Sequence, residues 1–288
     1  QLPTYLVSKV AKRHVTVALS GDGGDELFAG YTRYHTGYTM WNSLSKCPHG
    51  LRKALGFSLE KTPPGVWQCV KKGFPFMPKN LAVKAQKFSR VLRTESLQDF
   101  YQGLIWSQPR AHDYLKTTAP LPQAFMSHKD INHPVEHMQY WDTLTYLTDD
   151  ILTKVDRASM ATSLEARVPL LDHRLVAFAW TLPLSMKLRG GQSKWLLRQV
   201  LNRYIPSKLM ERPKMGFGIP IESWLKNDLR AWADDLLSVK ALENNPILDS
   251  HKVHALWCDF LKGKHTETYF LWTLMMMQAW LKKDTSSS

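Results

Sequence analysis

The stretch that decides the fold runs from His14-Val15-Thr16-Val17-Ala18-Leu19 into Ser20-Gly21-Asp22-Gly23-Gly24-Asp25-Glu26-Leu27-Phe28-Ala29-Gly30-Tyr31. Its first six residues form a compact β-branched and apolar run closed by Ser-Gly, the pattern of a buried strand. Buried strands normally lie beside others in a parallel sheet. No second convincing strand stands elsewhere in the sequence, so this one reads as an orphan. The glycine–acid turn behind it can carry chemistry. Glycines let a backbone approach a ligand closely, and a loop entering a helix presents N–H groups. Asp22, Asp25 and Glu26 would together repel a bare phosphate. They suit a divalent cation between carboxylate and phosphate, because Mg²⁺ typically takes one or two carboxylates plus phosphate oxygens. The plainer alternative is a polar turn whose acids cap the next helix. The position behind a strand, where open α/β sheets bind ligands, tips the balance from it.

Outward from this segment the pattern is helical. Leu2, Tyr5, Leu6, Val10 and Ala11 mark a short amphipathic helix over Leu2 to Lys12. Leu51 to Gln108 is helical, broken at Pro63-Pro64-Gly65 and at Phe74-Pro75-Phe76-Met77-Pro78, and a Pro- and His-rich loop follows from Pro120 to Pro134. Val135 to Leu171 reads as one long helix or two, ending before Pro169. Further helices are expected over Leu175–Trp180, Ser193–Tyr204, Ile221–Leu237, Ser250–Lys262 and Thr266–Leu281, before a frayed tail from Lys283 to Ser288. In the last of these, Phe270, Leu274, Met277 and Leu281 recur at helical spacing.

Composition narrows the function class. The 288 residues are 44% hydrophobic and 22% charged, as in a globular protein with a real core. No apolar run approaches the length needed to cross a bilayer, and Gln1-Leu2-Pro3-Thr4 has no signal-peptide pattern and reads as a cut end. The three cysteines, Cys47, Cys69 and Cys258, are scattered without CxxC spacing, which disfavours a disulfide framework or structural zinc and suits a reducing cytoplasm. The net charge of +13 is spread rather than gathered into an arm, so it supports electrostatic attraction to anions and no specific nucleic-acid reading. Trp224, Trp232, Trp257, Trp272 and Trp280 fall on expected helices, where core packing explains them better than ligand stacking.

Two more segments carry charge in a suggestive order. Asp149-Asp150-Ile151-Leu152-Thr153-Lys154-Val155-Asp156-Arg157-Ala158-Ser159-Met160 places Asp149 and Asp156 on one helix face, with Asp150 and Lys154 as a pair one turn apart. It continues to Glu165-Ala166-Arg167-Val168-Pro169-Leu170-Leu171-Asp172, where Glu165 and Arg167 precede a proline and can face a cleft. The other segment is Arg212-Pro213-Lys214-Met215-Gly216-Phe217-Gly218-Ile219-Pro220, a shaped loop with a lysine that can meet a polyphosphate. His133-Pro134-Val135-Glu136-His137 also fits the H-x-x-E-H pattern of some zinc peptidases, though a surface helix start explains it more simply.

Together the glycine–acid turn, the block from Lys154-Val155-Asp156-Arg157 to Asp172, and Lys214-Met215-Gly216-Phe217 resemble the asparagine synthase family in order and separation, over nearly the whole chain. The resemblance implies a truncated α/β fold of the adenine-nucleotide, PP-loop type. Residues 1–50 would be a remnant of its nucleotide-binding domain, 51–282 a mostly helical synthetase body and 283–288 a tail. It implies ATP and Mg²⁺ as cofactors and aspartate or a related carboxylic acid as substrate. Ammonia would come from a glutaminase domain or chain. No membrane or nucleic-acid partner is implied. By similarity Ser20, Gly21 and Gly23 would bind the nucleotide, Asp22 would support adenylate formation, and Asp25 would reach Mg²⁺ and pyrophosphate. Lys214 would stabilise the pentavalent phosphorus, and Tyr31 and Glu165 would handle the amine. The family's Ser-Gly-Gly-x-Asp-Ser loop and its glutaminase are absent from this sequence. An upstream chain or domain is therefore expected to complete the site of an ATP-dependent, amide-forming synthetase; the alternative is a non-catalytic or partner-dependent remnant of the family that uses the helical body for binding.

Overall fold

The computed structural model describes residues 1–63, 66, 81–105, 111–116, 128–210, 218–263 and 268–286, which form two compact units. One comprises Gln1–Leu104 with Gln123–Lys214, the other Ile105–Pro122 with Met215–Ser288. Helices dominate both units, with few strands. The expected breaks at residues 64–65 and 74–78 lie outside the described residues.

In the first unit the decisive run forms strand β1 (Val17–Leu19), and β1 is not alone. It pairs in parallel with β2 (Glu165–Arg167), in the register Val17 to Glu165, Ala18 to Ala166 and Leu19 to Arg167. This corrects two expectations: the orphan strand has a partner, and the helix expected through Leu171 gives way to a strand. The helix stops because Ser163 adopts a positive φ of 58°, a left-handed turn that an α-helix cannot continue through. Ladder bonds then take over: Glu165 N–H donates to the Thr16 carbonyl at 3.1 Å and Ser20 N–H to the Arg167 carbonyl at 2.8 Å. Nor is β1 buried, since Leu19 is 74% exposed. A sheet of two short strands has too little cover to bury both faces.

The turn beyond β1 enters a single helical turn, α1 (Gly24–Leu27), and then α2 (Thr32–Leu44). Both pack against α3 (Pro134–Leu144), whose Val135, Met138 and Trp141 are buried. His133 caps α3 by accepting from Val135 N–H at 3.2 Å, and Pro134 sits in the first turn, where its missing N–H costs nothing. The chain next winds as a π-helix over Tyr146–Leu152 before α4 (Thr153–Met160). Asp149 lies in the wider π turns and Asp156 in the α-helix, so their seven-residue spacing is not two α-turns. No ion pair joins Asp150 and Lys154 among the described residues. Leu27, Phe28 and Ala179 form a small buried cluster between α1 and the helix His173–Thr181.

The second unit has its own core. Leu225, Leu236, Leu242, Trp257, Phe260, Leu271 and Met275 are buried together, each large side chain contributing about 1.5–3 kcal/mol. The long helix expected over Ile221–Leu237 is two, Ile221–Lys226 and Arg230–Leu236, parted at Asn227, whose φ of −126° and ψ of −93° are not helical. Trp257 packs as expected and donates its indole N–H to Asp234 at 2.7 Å. Trp232 and Trp280 do not, being 40% and 62% exposed on the outer sides of their helices. The last helix spans Thr268–Ser286 and reaches beyond its expected end, with Phe270 and Leu274 buried and Met277 against the core.

Candidate functional site

The glycine–acid turn is held by side-chain packing from two later segments. Gly23 has a φ of +81°, and a Cβ there would lie 2.3 Å from the Leu171 side chain. Gly30 is packed as closely, since a Cβ would lie 2.0 Å from Asp25 Oδ1 and 2.2 Å from the Lys194 side chain. These positions need glycine, one for its backbone sign and the other for its neighbours. Ser20 leaves β1 with its hydroxyl donating to the Asp22 carboxylate. Asp25 forms an ion pair with Lys194 at 3.0 Å, both side chains partly exposed. The Lys194 backbone, itself at a positive φ of 53°, donates to the Phe28 carbonyl at 3.1 Å. Lys194 carries no sequence signal for this role; only the fold brings it 169 residues back along the chain to Asp25.

Of the expected site residues, Ser20, Gly21, Asp22, Gly23 and Asp25 fall together on this turn, partly exposed except for Gly23, which is buried, and Gly21, which is exposed. Tyr31 follows at the entry of α2, but its hydroxyl donates to Glu26 at 2.6 Å rather than to Glu165. Glu165 points its carboxylate to Arg167, at 2.7 Å, on the exposed surface of β2. The structure therefore does not join Tyr31 and Glu165 by a hydrogen bond. Lys214 and the loop around it lie outside the described residues.

Behind the turn lies a buried polar network that the sequence reading missed. Asp142 on α3 is fully buried, and its Oδ2 accepts from the Tyr34 hydroxyl at 2.6 Å, the Tyr101 hydroxyl at 2.6 Å and Arg33 Nη2 at 2.8 Å. The Arg33 guanidinium lies 3.8 Å from the centroid of the Tyr31 ring and 4.8 Å from that of Tyr146. Gln139, one turn before Thr143, donates to the Glu26 carbonyl at 2.6 Å. Burial pushes the Glu26 carboxyl above its ordinary range, and the Tyr31 hydrogen bond pulls it partly back. Burial and the bond to Glu26 likewise raise the Tyr31 phenol, so it stays a proton donor. The density of Tyr and Arg in Tyr31-Thr32-Arg33-Tyr34 was the available signal, but no spacing rule names Asp142 as its partner.

These residues can hold a magnesium ion in one manner. Asp22 and Asp25 are partly exposed carboxylates on one turn. Among the described residues no group of three His, Cys, Asp or Glu could enclose a metal. An ion held by one or two carboxylates and completed by phosphate oxygens fits that donor set. The H-x-x-E-H pattern makes no such group: His133 caps α3 and His137 stacks on Trp141, ring centroids 5.4 Å apart. Among the described residues no helix is long and apolar enough to cross a membrane.

The comparisons with known proteins converge. The family model described as asparagine synthase matches residues 1–282. The chain is 31% identical to asparagine synthetase [glutamine-hydrolyzing] 1 of Bacillus subtilis, over 97% of this chain and 42% of that protein. It is 25% identical to asparagine synthetase [glutamine-hydrolyzing] 3 of the same organism, over 85% of this chain and 33% of that one. With asparagine synthetase [glutamine-hydrolyzing] of Gallus gallus it shares 36% identity over 35% of this chain and 19% of that protein. The chain thus spans about two fifths of the length of the relative first named. No solved structure matches it. With a family model across nearly its whole length and that relative aligned over almost all of it, the chain belongs to the asparagine synthase family.

Proposed function

We propose that this chain is the synthetase part of an ATP-dependent, amide-forming ligase, on the α/β PP-loop plan, that activates aspartate or a related carboxylic acid. The observation that carries the reading is the Ser20–Tyr31 turn, set at the end of a parallel strand by ladder bonds and glycine packing, with Asp22 and Asp25 partly exposed on it. A substrate carboxylate oxygen attacks the α-phosphorus of ATP, giving an acyl-adenylate as pyrophosphate departs. Ammonia from a glutaminase then attacks the acyl carbon, and AMP leaves with the amide formed and one proton lost. Ser20, Gly21 and Gly23 line the nucleotide's approach. The Ser20 hydroxyl fixes the Asp22 carboxylate on the turn. Lys194, paired with Asp25, adds a cation to the same turn that can offset phosphate charge. Bound Mg²⁺ would neutralise phosphate charge, with Asp25 as its carboxylate. Lys214 is assigned to the leaving pyrophosphate through its family motif, and Tyr31 and Glu165 to the amine; of these two, Tyr31 is held by Glu26. An upstream chain or domain supplies the remaining phosphate loop, and the compartment is the cytoplasm.

Pyrophosphate release from ATP, aspartate and ammonia tests the reading. A protein carrying this chain together with the upstream segment of its relatives should turn over, and Asp22→Asn or Lys214→Met should each lower kcat by about a hundredfold. This chain alone should release little or none. Acid-dependent release that neither substitution changes would refute the site; turnover by the chain alone at the rate of the longer protein would refute the need for a partner.

A further inference from the structure

A second cleft in the first unit has a chemistry that the synthetase reading does not use. It encloses about 380 Å³ and is lined by His128, Asp130, Ile131, Glu136, Tyr140 and Trp180. Glu136 and Tyr140 lie one turn apart on α3, so both present the same helix face, and Trp180 reaches in from the helix His173–Thr181. The aromatic walls brace each other edge to face: Tyr140 lies 6.3 Å from Trp180 and 5.8 Å from His128, centroid to centroid. Among the described residues the Glu136 carboxylate, the Tyr140 hydroxyl and the Trp180 indole N–H make no hydrogen bond or ion pair. All three residues are half-buried and line the cleft, so a ligand there can take the place of the water that otherwise satisfies them.

One ammonium of the protein already lies against this wall's Trp180 ring. Lys187 is 1% exposed, and its ammonium lies 4.9 Å from the centroid of the Trp180 ring, with no carboxylate in ion-pairing reach among the described residues. An ammonium on an aromatic face is attracted by the ring quadrupole, most strongly when water is excluded. Glu136 acts on the same lysine as its largest favourable charge, against the cost of burial. A second cation in the cleft would meet Glu136 first, because Asp130 already lies 3.7 Å from His128 Nδ1, with the Tyr140 and His128 rings beside it. We infer that this cleft binds a small organic cation, a primary ammonium with an apolar body, between the Glu136 carboxylate and the Tyr140–Trp180 wall. The protein's overall charge of +13 opposes such a ligand, so the affinity must come from these local groups.

Calorimetric titration of the chain with 2-phenylethylammonium tests this, with 2-phenylethanol and phenylacetate as neutral and anionic probes of similar shape. The ammonium should bind with a Kd below about 1 mM and the other two should not. Glu136→Gln should weaken it at least tenfold, while Lys187→Met, which removes a competing cation, should tighten it about threefold. Opposite signs in the two variants would mean that the cleft takes an anion and would overturn the proposal. So would the absence of ammonium binding, or equal binding of 2-phenylethanol. A far-ultraviolet circular dichroism melt of each variant establishes that it is folded, and Trp180→Phe, which keeps an aromatic face, should retain binding if Lys187→Met does not fold.

Discussion

Replacing Asp142 with alanine strips three donors of one acceptor in a site with no exposure. Breaking a buried ion pair by removing one partner costs roughly 3–5 kcal/mol, because the other charge is left uncompensated. Arg33 is 27% exposed in its side chain, so water recovers part of that loss and the lower end of the range applies. The two phenols each lose a hydrogen-bond acceptor, at about 0.5 kcal/mol apiece at the low end of a net bond's contribution, bringing the whole to about 4 kcal/mol. In a urea titration followed by tryptophan fluorescence, with a slope of about 2 kcal/mol per molar, the midpoint should fall by about 2 M. Asp142→Asn keeps an acceptor oxygen without the charge and should lose about half as much. The pairing of Arg33→Met with Asp142→Leu should lose less than the sum of the single changes, since each removes what the other leaves unpaired. A loss below about 1 kcal/mol in Asp142→Ala, or strict additivity in the double variant, would refute the claim that this network ties α2 to α3.

Gly23→Ala should cost about 1–3 kcal/mol, from its positive φ and from the Leu171 side chain in the way of a Cβ. Adding Leu171→Ala should relieve only the packing share, read as a partial recovery of the denaturant midpoint. Glu26 has a folded pKa raised above 4.5 by burial, so it favours the folded state most below 4.5, and that contribution is lost as pH rises through the folded value. Glu26→Gln, which still accepts from Tyr31, should therefore flatten the fall in stability between pH 4.5 and neutrality; an unchanged pH profile would assign that fall to other groups.

The strongly periodic helices were readable because an apolar stripe survives in one dimension, as Phe270 and Leu274 show. So was the presence of a turn in Ser20–Tyr31, because clustered glycines after a β-branched run end a strand. Strand β2 was not. It is three residues long, two of them charged, and nothing in Glu165-Ala166-Arg167 separates it from the end of a helix until β1 offers a ladder. The network at Asp142 was hidden for a related reason: its partners Tyr101, Tyr34 and Arg33 lie 41, 108 and 109 residues away. A lone aspartate on a helix gives no hint of burial. Lys194 was equally silent, since its pairing with Asp25 depends on a backbone turn at a positive φ that lysine seldom adopts. Local chemistry is written locally, whereas the groups that hold it in place are distributed along the chain.

The π-helix at Tyr146–Leu152 has an implication for how this chain tolerates insertions and deletions. Its wider winding accommodates one residue more than an α-helix would over the same length, a feature that commonly marks a single-residue insertion. Removing one residue there and letting the segment rewind as α would leave the helices on either side close to their present orientation, because the extra residue is already absorbed in the wider turns. The pairing of Glu165–Arg167 with β1 would then keep its register, because a one-step slide is what would exchange the faces of that strand. Single-residue length variation between close homologues should accordingly be accommodated in this segment, one form winding as π and the other as α.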